Sequence, residues 1–526
     1  MLCAGFFFCL IVHTLLQEVI CMGGQSRSMM QESAVLSIFS VALQGLGLLF
    51  NIFLTRSIGA ASVGALTLMG SFYGLASVLS GGSGFLSASR FVSEELGSGG
   101  DPKRAFRYAL RFSMILSGSA AVLLIITAPL TVPLLAGTGA TVLTVRLLSL
   151  CLPISALTAC LKGRCYAYHR VYVPAIAECA EFLLRAGVMA FCAVFLIPAG
   201  RLSILSAFAV SMLAGQGSAA LFLLVFRMPG AVTAGKCRLH CGGFLRQVLP
   251  MIGNASLVAI LGTANDALVP LTLRQYGNST EEALSQFGEF EAIIIPTLFF
   301  PSVVQCCMSG LLVPELSQAR AAKNSAGIRE TTQRVLEQTV AFSLPVVLIL
   351  ALFGGQIGVL LGGDPFTGHI LRCMSPVIPF IYLEIILEGV LRGLGKQSFS
   401  SVNYLAEYTV RISVLLICVP LFGFYGIVAS YMACNLTGNA VRLFFVLRLT
   451  DLRPSWKRIL LRPAFCLLIS WQLCGLLMLP LGRLLRHETA QMLAFTVLCA
   501  GLYLFLLEIL AHSSPQQTVA AKKGAA

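Results

Sequence analysis

Two stretches of this chain carry the same acidic and basic pair at the same spacing, Glu181 with Arg185 and Glu407 with Arg411. Four residues is about one helical turn, so each pair shares a helix face. Both pairs lie inside apolar runs. If the first run enters a bilayer near Val173, a rise of about 1.5 Å per residue puts Glu181 roughly 12 Å deep and Arg185 roughly 18 Å deep, in a hydrocarbon core about 30 Å thick. An ionisable group at that depth costs at least a few kcal/mol unless it faces water or a partner. Two readings stay open. Each pair neutralises itself and pins helices together, or it lines an aqueous cavity and exchanges its internal partner for a substrate anion. In the second reading Arg185 and Arg411 grip the anion, with Glu181 and Glu407 beside them.

A second polar stripe, Glu384, Glu388 and Arg392, follows helical spacing, and Lys162 occupies the position corresponding to Glu388 in an earlier stretch. Opposite charges at matched positions suit a cytoplasmic gate; local pairing along the one helix is the alternative. Arg56, Arg274, Asp266, Arg146 and Arg372 fall toward outer span ends, where long side chains snorkel at little cost. They suit an outer gate or an anion entry. Cys237, His240 and Cys241 lack a fourth ligand, so no metal site is expected. The nearest approach to a phosphate-cradling loop is Gly395-Lys396, where Gln397 replaces the magnesium-binding hydroxyl and Val390 the first glycine. Without nucleotide chemistry or a cofactor, the energy must come from an Na⁺ or H⁺ gradient, the membrane potential or the substrate's own gradient.

The elements that hold these residues are membrane helices. Of the 526 residues, 57% are hydrophobic and 11% charged, which predicts an all-α polytopic membrane protein. Fourteen apolar spans are expected near 33–55, 66–89, 108–128, 139–160, 173–198, 203–226, 248–272, 291–313, 338–361, 370–392, 403–421, 424–448, 458–481 and 490–511. Lys and Arg gather in every second loop, so the positive-inside bias makes those loops and the termini of the main body cytoplasmic. The net charge of +14 is then a matter of topology and anionic lipid, with no call for nucleic acid.

Residues 146–192 and 372–418 match without a gap: Arg146 meets Arg372, Pro153 meets Pro379, Gly163 meets Gly389, Glu181 meets Glu407 and Arg185 meets Arg411. An even number of spans per repeat gives two parallel lobes of six helices around a central cavity. The expected organisation is an N-terminal apolar segment (1–32; an interfacial helix or an over-extended start), a first lobe (33–227), a cytoplasmic inter-lobe loop (228–247), a second lobe (248–448), two extra spans (449–511) and a cytoplasmic tail (512–526). Asp101-Pro102 reads as a helix start, from which a short amphipathic helix would return along the cytoplasmic surface; a plain solvated loop is the alternative.

Val173-Pro174 followed by Glu181-Phe-Leu-Leu-Arg185, its repeat Glu407-Tyr-Thr-Val-Arg411, Leu311-Leu-Val-Pro-Glu-Leu-Ser317 and Asn265-Asp-Ala-Leu-Val-Pro270 together resemble the multidrug/oligosaccharidyl-lipid/polysaccharide exporter superfamily. The similarity is to its branch of sporulation-type polysaccharide flippases, related to lipid II flippases. It implies alternating access, a bacterial cytoplasmic membrane, and a lipid-linked saccharide whose headgroup crosses the cavity while its tail stays in lipid. Cell-envelope glycosyltransferases are then natural partners. Lipid II flippases carry several cavity arginines in their early spans, whereas the first two spans here carry only Arg56, with Arg90 just beyond. Two other classes compete: an Na⁺- or H⁺-coupled multidrug antiporter of the same superfamily, and an integral-membrane glycosyltransferase or polymerase. The latter needs a sizeable extracytoplasmic loop, and the longest here, around 274–290, is short.

Overall fold

The computed structural model describes residues 27–81, 84–97, 100–132, 139–168, 170, 172–226, 241–484 and 487–512. In chain order the helices are α1 (Arg27–Ile58), α2 (Ala60–Leu79), α3 (Gly84–Gly97), α4 (Pro102–Thr131), α5 (Val142–Ala167), α6 (Tyr172–Phe191), α7 (Ile204–Val225), α8 (Cys241–Tyr276) and α9 (Thr280–Glu289). They continue as α10 (Ile295–Phe299), α11 (Val303–Ala321), α12 (Ser325–Leu360), α13 (Pro365–Met374), α14 (Ile378–Gly393), α15 (Gln397–Phe422), α16 (Phe424–Thr450), α17 (Arg462–Leu484) and α18 (Glu488–His512). No strand occurs among the described residues. Each of the fourteen expected spans falls on one of these helices or on consecutive ones, and 12 are long and apolar enough to cross a bilayer. The other two are α1, whose apolar part is Ala42–Ile58, and α16, which carries Asn435, Asn439 and Arg442 in its interior.

The helix starts are written in the sequence. The Asp101 carboxylate accepts the backbone N–H groups of Lys103 and Arg104 at 3.0 and 3.2 Å, and Pro102 fills the first turn. No separate surface helix follows. The helix that begins at Pro102 is the third span itself, 30 residues long, because no proline follows Arg111 until Pro129 in the last turn. The same holds at Asn324, which caps a helix of 36 residues; several residues of both basic loops are therefore the first turns of span helices.

Two compact units emerge. One comprises Ser28–Pro296 with Tyr404–Tyr431, the other Thr297–Asn403 with Met432–Ala526. This division crosses the boundaries set by the repeat, since α8 and α9 of the second lobe belong to the unit that holds the first. The reason lies in a close helix crossing. A Cβ at Gly288 of α9 would run into Ala60 O and the Gly64 backbone nitrogen of α2, and one at Gly64 would run into Leu284 O. Glycine at both positions lets the two backbones touch. In the same unit Ala88, Phe91, Ala105, Ala109 and Cys160 pack with Phe244 and Val248 of α8. In the other, the two extra spans pack through Cys474, Phe495 and Cys499 against Leu348, Leu352 and Phe353 of α12.

The duplicated glycine performs one job in both units. Gly163 brings α5 against the α3 backbone at Phe85 O and Ser89 N, and Gly389 brings α14 against Ser309 of α11. The tenth and fourth spans thus sit on the eighth and second by the same small-residue contact.

Candidate functional site

Arg185 and Arg411 lie near the middle of their spans, and neither has a carboxylate within ion-pair distance among the described residues. Glu181 pairs elsewhere. Its Oε1 accepts from Gln216 Nε2 at 2.9 Å, and its Oε2 stands 3.6 Å from Lys162 Nζ, which also binds Glu178 at 3.2 Å. Gly215 makes this possible, because its bare Cα allows α7 to press on α6 at Glu181 O and Arg185 Cβ. Lys162 on the fourth span therefore neutralises the fifth-span carboxylate and Gln216 on the sixth donates to it, and Arg185 is left with Met212 Sδ at 3.8 Å and the Phe182 ring at 5.9 Å.

Arg411 repeats the arrangement. Its guanidinium lies 4.8 Å from the Tyr431 ring centroid, and its Nε is buried without a hydrogen-bond partner. Glu291 is its electrostatic neighbour, and Glu291 in turn has Asp266 beside it. Glu291 stands in a π turn over Phe290–Ile294, an irregularity that shifts side-chain register within a helix and recurs at functional sites. Asp266 accepts from Ser71 Oγ at 2.6 Å and from Asn265 Nδ2 at 3.2 Å, while Thr263 donates to Ser71 O. Asp266 is ten residues from the end of α8 at Tyr276, roughly 15 Å from that end. This corrects its expected place near the outer surface: α8 continues about a turn past the last apolar stretch. Arg56, Arg274, Arg146 and Arg372 do lie exposed toward helix ends.

The other unit holds its own cluster. Arg442 is fully buried, with Nη2 3.6 Å from Glu384 Oε1 and Nε 4.0 Å from Glu388 Oε2. Glu388 also accepts from Ser400 Oγ at 2.7 Å and from Arg392 Nε at 3.2 Å. Glu384, Glu388 and Arg392, read as a gate, thus pair locally and onto α16, and Lys162 pairs within its own unit.

Sequence reasoning missed Gln216, Arg442, Glu291, Asp266's partner Ser71, and Tyr431. Gln216 and Arg442 correspond in the continued repeat, at the same offset that joins Lys162 to Glu388; their chemical difference hid the match. Glu291 is the first residue of an expected span, 291–313, and for that reason did not stand out as a deep carboxylate. Cys237, His240, most of the N-terminal segment and nearly all of the tail lie outside the described residues.

Comparison with known proteins agrees with this architecture. Residues 281–417 match the MatE family. "Stage V sporulation protein B" of Bacillus subtilis (strain 168) is 20% identical over 285 residues, covering 52% of this chain and 55% of that protein, so the chain spans just over half the length of that curated relative. The structure titled "Lipid II flippase MurJ, inward closed conformation" superposes with a TM-score of 0.67 at 14% identity, covering 91% of this chain and 99% of that one. An inward-facing multidrug resistance MATE family transporter gives a TM-score of 0.62 at 15% identity, over 79% and 98% of the two chains.

Proposed function

We propose that this chain is a member of the multidrug/oligosaccharidyl-lipid/polysaccharide exporter superfamily and a flippase for a lipid-linked saccharide, moving the headgroup across the bacterial cytoplasmic membrane. The observation that carries this reading is the pair of mid-depth arginines, Arg185 and Arg411, each stacked on an aromatic ring and lacking an ion-pair partner among the described residues. A sugar diphosphate sheds its hydration on leaving water, and guanidinium forks replace those hydrogen bonds. Lys162 and Gln216 hold Glu181, which leaves Arg185 available for an incoming anion. The lipid tail stays in the bilayer, and envelope glycosyltransferases supply or consume the substrate.

Asp266 and Glu291 favour a second reading, a cation-coupled multidrug antiporter, since two mid-depth carboxylates suit exchange of H⁺ or Na⁺. In a flippase the same pair would couple anion transfer to either ion gradient or to the membrane potential, without nucleotide hydrolysis.

The experiment is flipping of a fluorescent polyprenyl diphosphate sugar in proteoliposomes. Arg411→Ala and Arg185→Ala each abolish it with folding intact, and Arg411→Lys keeps part, because Lys retains charge but loses the bidentate fork. Wild-type protein that extrudes organic cations and leaves the lipid in place selects the antiporter. The expected orientation is checked alongside: a cysteine at Asn324 is labelled from the cytoplasm and one at Asn278 from outside.

A further inference from the structure

Around Arg185 the first lobe collects uncharged hydroxyl and amide groups that the anion contact does not use. Ser77 Oγ and Ser155 Oγ lie 3.3 Å apart, joining the second span to the fourth. The Tyr73 hydroxyl faces Ser155, with Glu181 and Arg185 as electrostatic neighbours; the contact falls short of hydrogen-bond geometry, the hydroxyl has no other partner among the described residues, and the residue is 7% exposed. Gln216 extends the set through its bond to Glu181. On the same stretch of α2, a Cβ at Gly74 would meet nothing within 4 Å.

Ser77, Ser155, Arg185, Gln216 and Gly74 all retain partial exposure; Ser155, Arg185 and Gln216 lie well inside their helices, and Gly74 and Ser77 stand in the last two turns of α2. Polar side chains at that depth face an aqueous cavity, because facing lipid is too costly. An open glycine face and paired hydroxyls line one side of it, with the buried Tyr73 phenol directly behind them. They offer both donors and acceptors, which suits a ligand that is hydroxyl-rich and neutral.

We propose that Tyr73, Ser77, Ser155 and Gln216, with the space over Gly74, form a saccharide subsite in the first lobe, which binds the sugar of the headgroup while Arg185 takes the phosphate. The subsite rests on the flippase reading and sharpens it: Arg185 selects charge and the hydroxyl wall selects glycosylation. The unpartnered Tyr73 hydroxyl is the group a sugar would satisfy, and the clearance over Gly74 gives the ring its room.

The test is the affinity of full-length protein in nanodiscs for two probes, undecaprenyl diphosphate and undecaprenyl diphosphate bearing one N-acetylhexosamine. Tyr73→Phe is expected to weaken the glycosylated lipid roughly tenfold, the loss of about one hydrogen bond at a buried site, and to leave the bare diphosphate unchanged. Gly74→Phe fills the space and gives a larger loss with the same selectivity. Arg185→Gln weakens both lipids alike. Wild-type protein that binds neither lipid overturns the flippase reading and the subsite with it. Binding of both lipids, with Tyr73→Phe and Gly74→Phe affecting them equally or not at all, overturns the subsite and leaves the flippase reading standing.

Discussion

The fourth to sixth spans and the tenth to twelfth spans hold equivalent polar clusters with their charges exchanged. In the first, the cation is Lys162 on the fourth span, facing fifth-span Glu178 and Glu181, with Gln216 on the sixth. In the second, the carboxylates Glu384 and Glu388 stand on the tenth span and the cation, Arg442, on the twelfth. Lys162 corresponds to Glu388 and Gln216 to Arg442. A cluster of this kind tolerates moving the charge from helix to helix provided it stays locally paired, because the cost arises from an uncompensated charge and not from its position. The clusters also differ in depth of burial: Glu178 is 51% exposed, whereas Arg442 is 0% exposed. Arg185 and Arg411 follow a different rule, since both lobes keep them and neither has an ion-pair partner among the described residues.

Removing the buried cation gives the largest effect. Arg442→Ala leaves two carboxylates facing each other without their buried partner and is expected to cost about 3–5 kcal/mol, read as a lower unfolding temperature in detergent. Gln216→Ala, at the matched position, is expected to cost only about 1 kcal/mol, because Lys162 still holds Glu181. Equal losses would erase the distinction between the clusters.

The shared glycines separate next. Gly163→Ala drives a methyl into the Phe85 carbonyl, a backbone atom with nowhere to go, and overpacking of this kind costs about 1–3 kcal/mol. Gly389→Ala meets the Ser309 hydroxyl first, which can rotate, so the expected loss is smaller. The reverse order would show that the two contacts are not equivalent.

Charge transfer between helices is a direct test of the exchange. Lys162→Glu places a third carboxylate beside Glu178 and Glu181 and should destabilise the fold; adding Gln216→Arg rebuilds the second cluster's pattern in the first and should recover most of the loss. A double mutant no better than Lys162→Glu alone means that helix position matters more than neutrality.

The smallest effect is an expected silence. If Lys162 and Gln216 hold Glu181, a double-mutant cycle of Glu181→Gln and Arg185→Gln should give a coupling energy below about 0.5 kcal/mol, whereas Lys162→Gln with Glu181→Gln should couple measurably. Strong coupling between Glu181 and Arg185 would restore the self-neutralised pair and take Arg185 out of the anion site.

The all-helical architecture and the helix start at Asp101 were legible in the chain, because apolar length and capping chemistry act locally. The interior positions of Glu181, Arg185, Glu407 and Arg411 along their helices were legible for the same reason; the repeat matched Gly163 to Gly389, and the helix contacts gave them their close-packing role. What one residue sees across a helix boundary was not. The four-residue spacing suggested Arg185 as the partner of Glu181, and packing gave that carboxylate to Lys162 and Gln216, 19 residues before and 35 residues after it. Ser71 found Asp266 across 195 residues, and the Gly64–Gly288 crossing drew α9 to the first lobe. Pairing of buried polar groups depends on which helices touch, and that choice is made by close packing of small residues distant in sequence, so only the tertiary structure could decide which arginines remain unpaired.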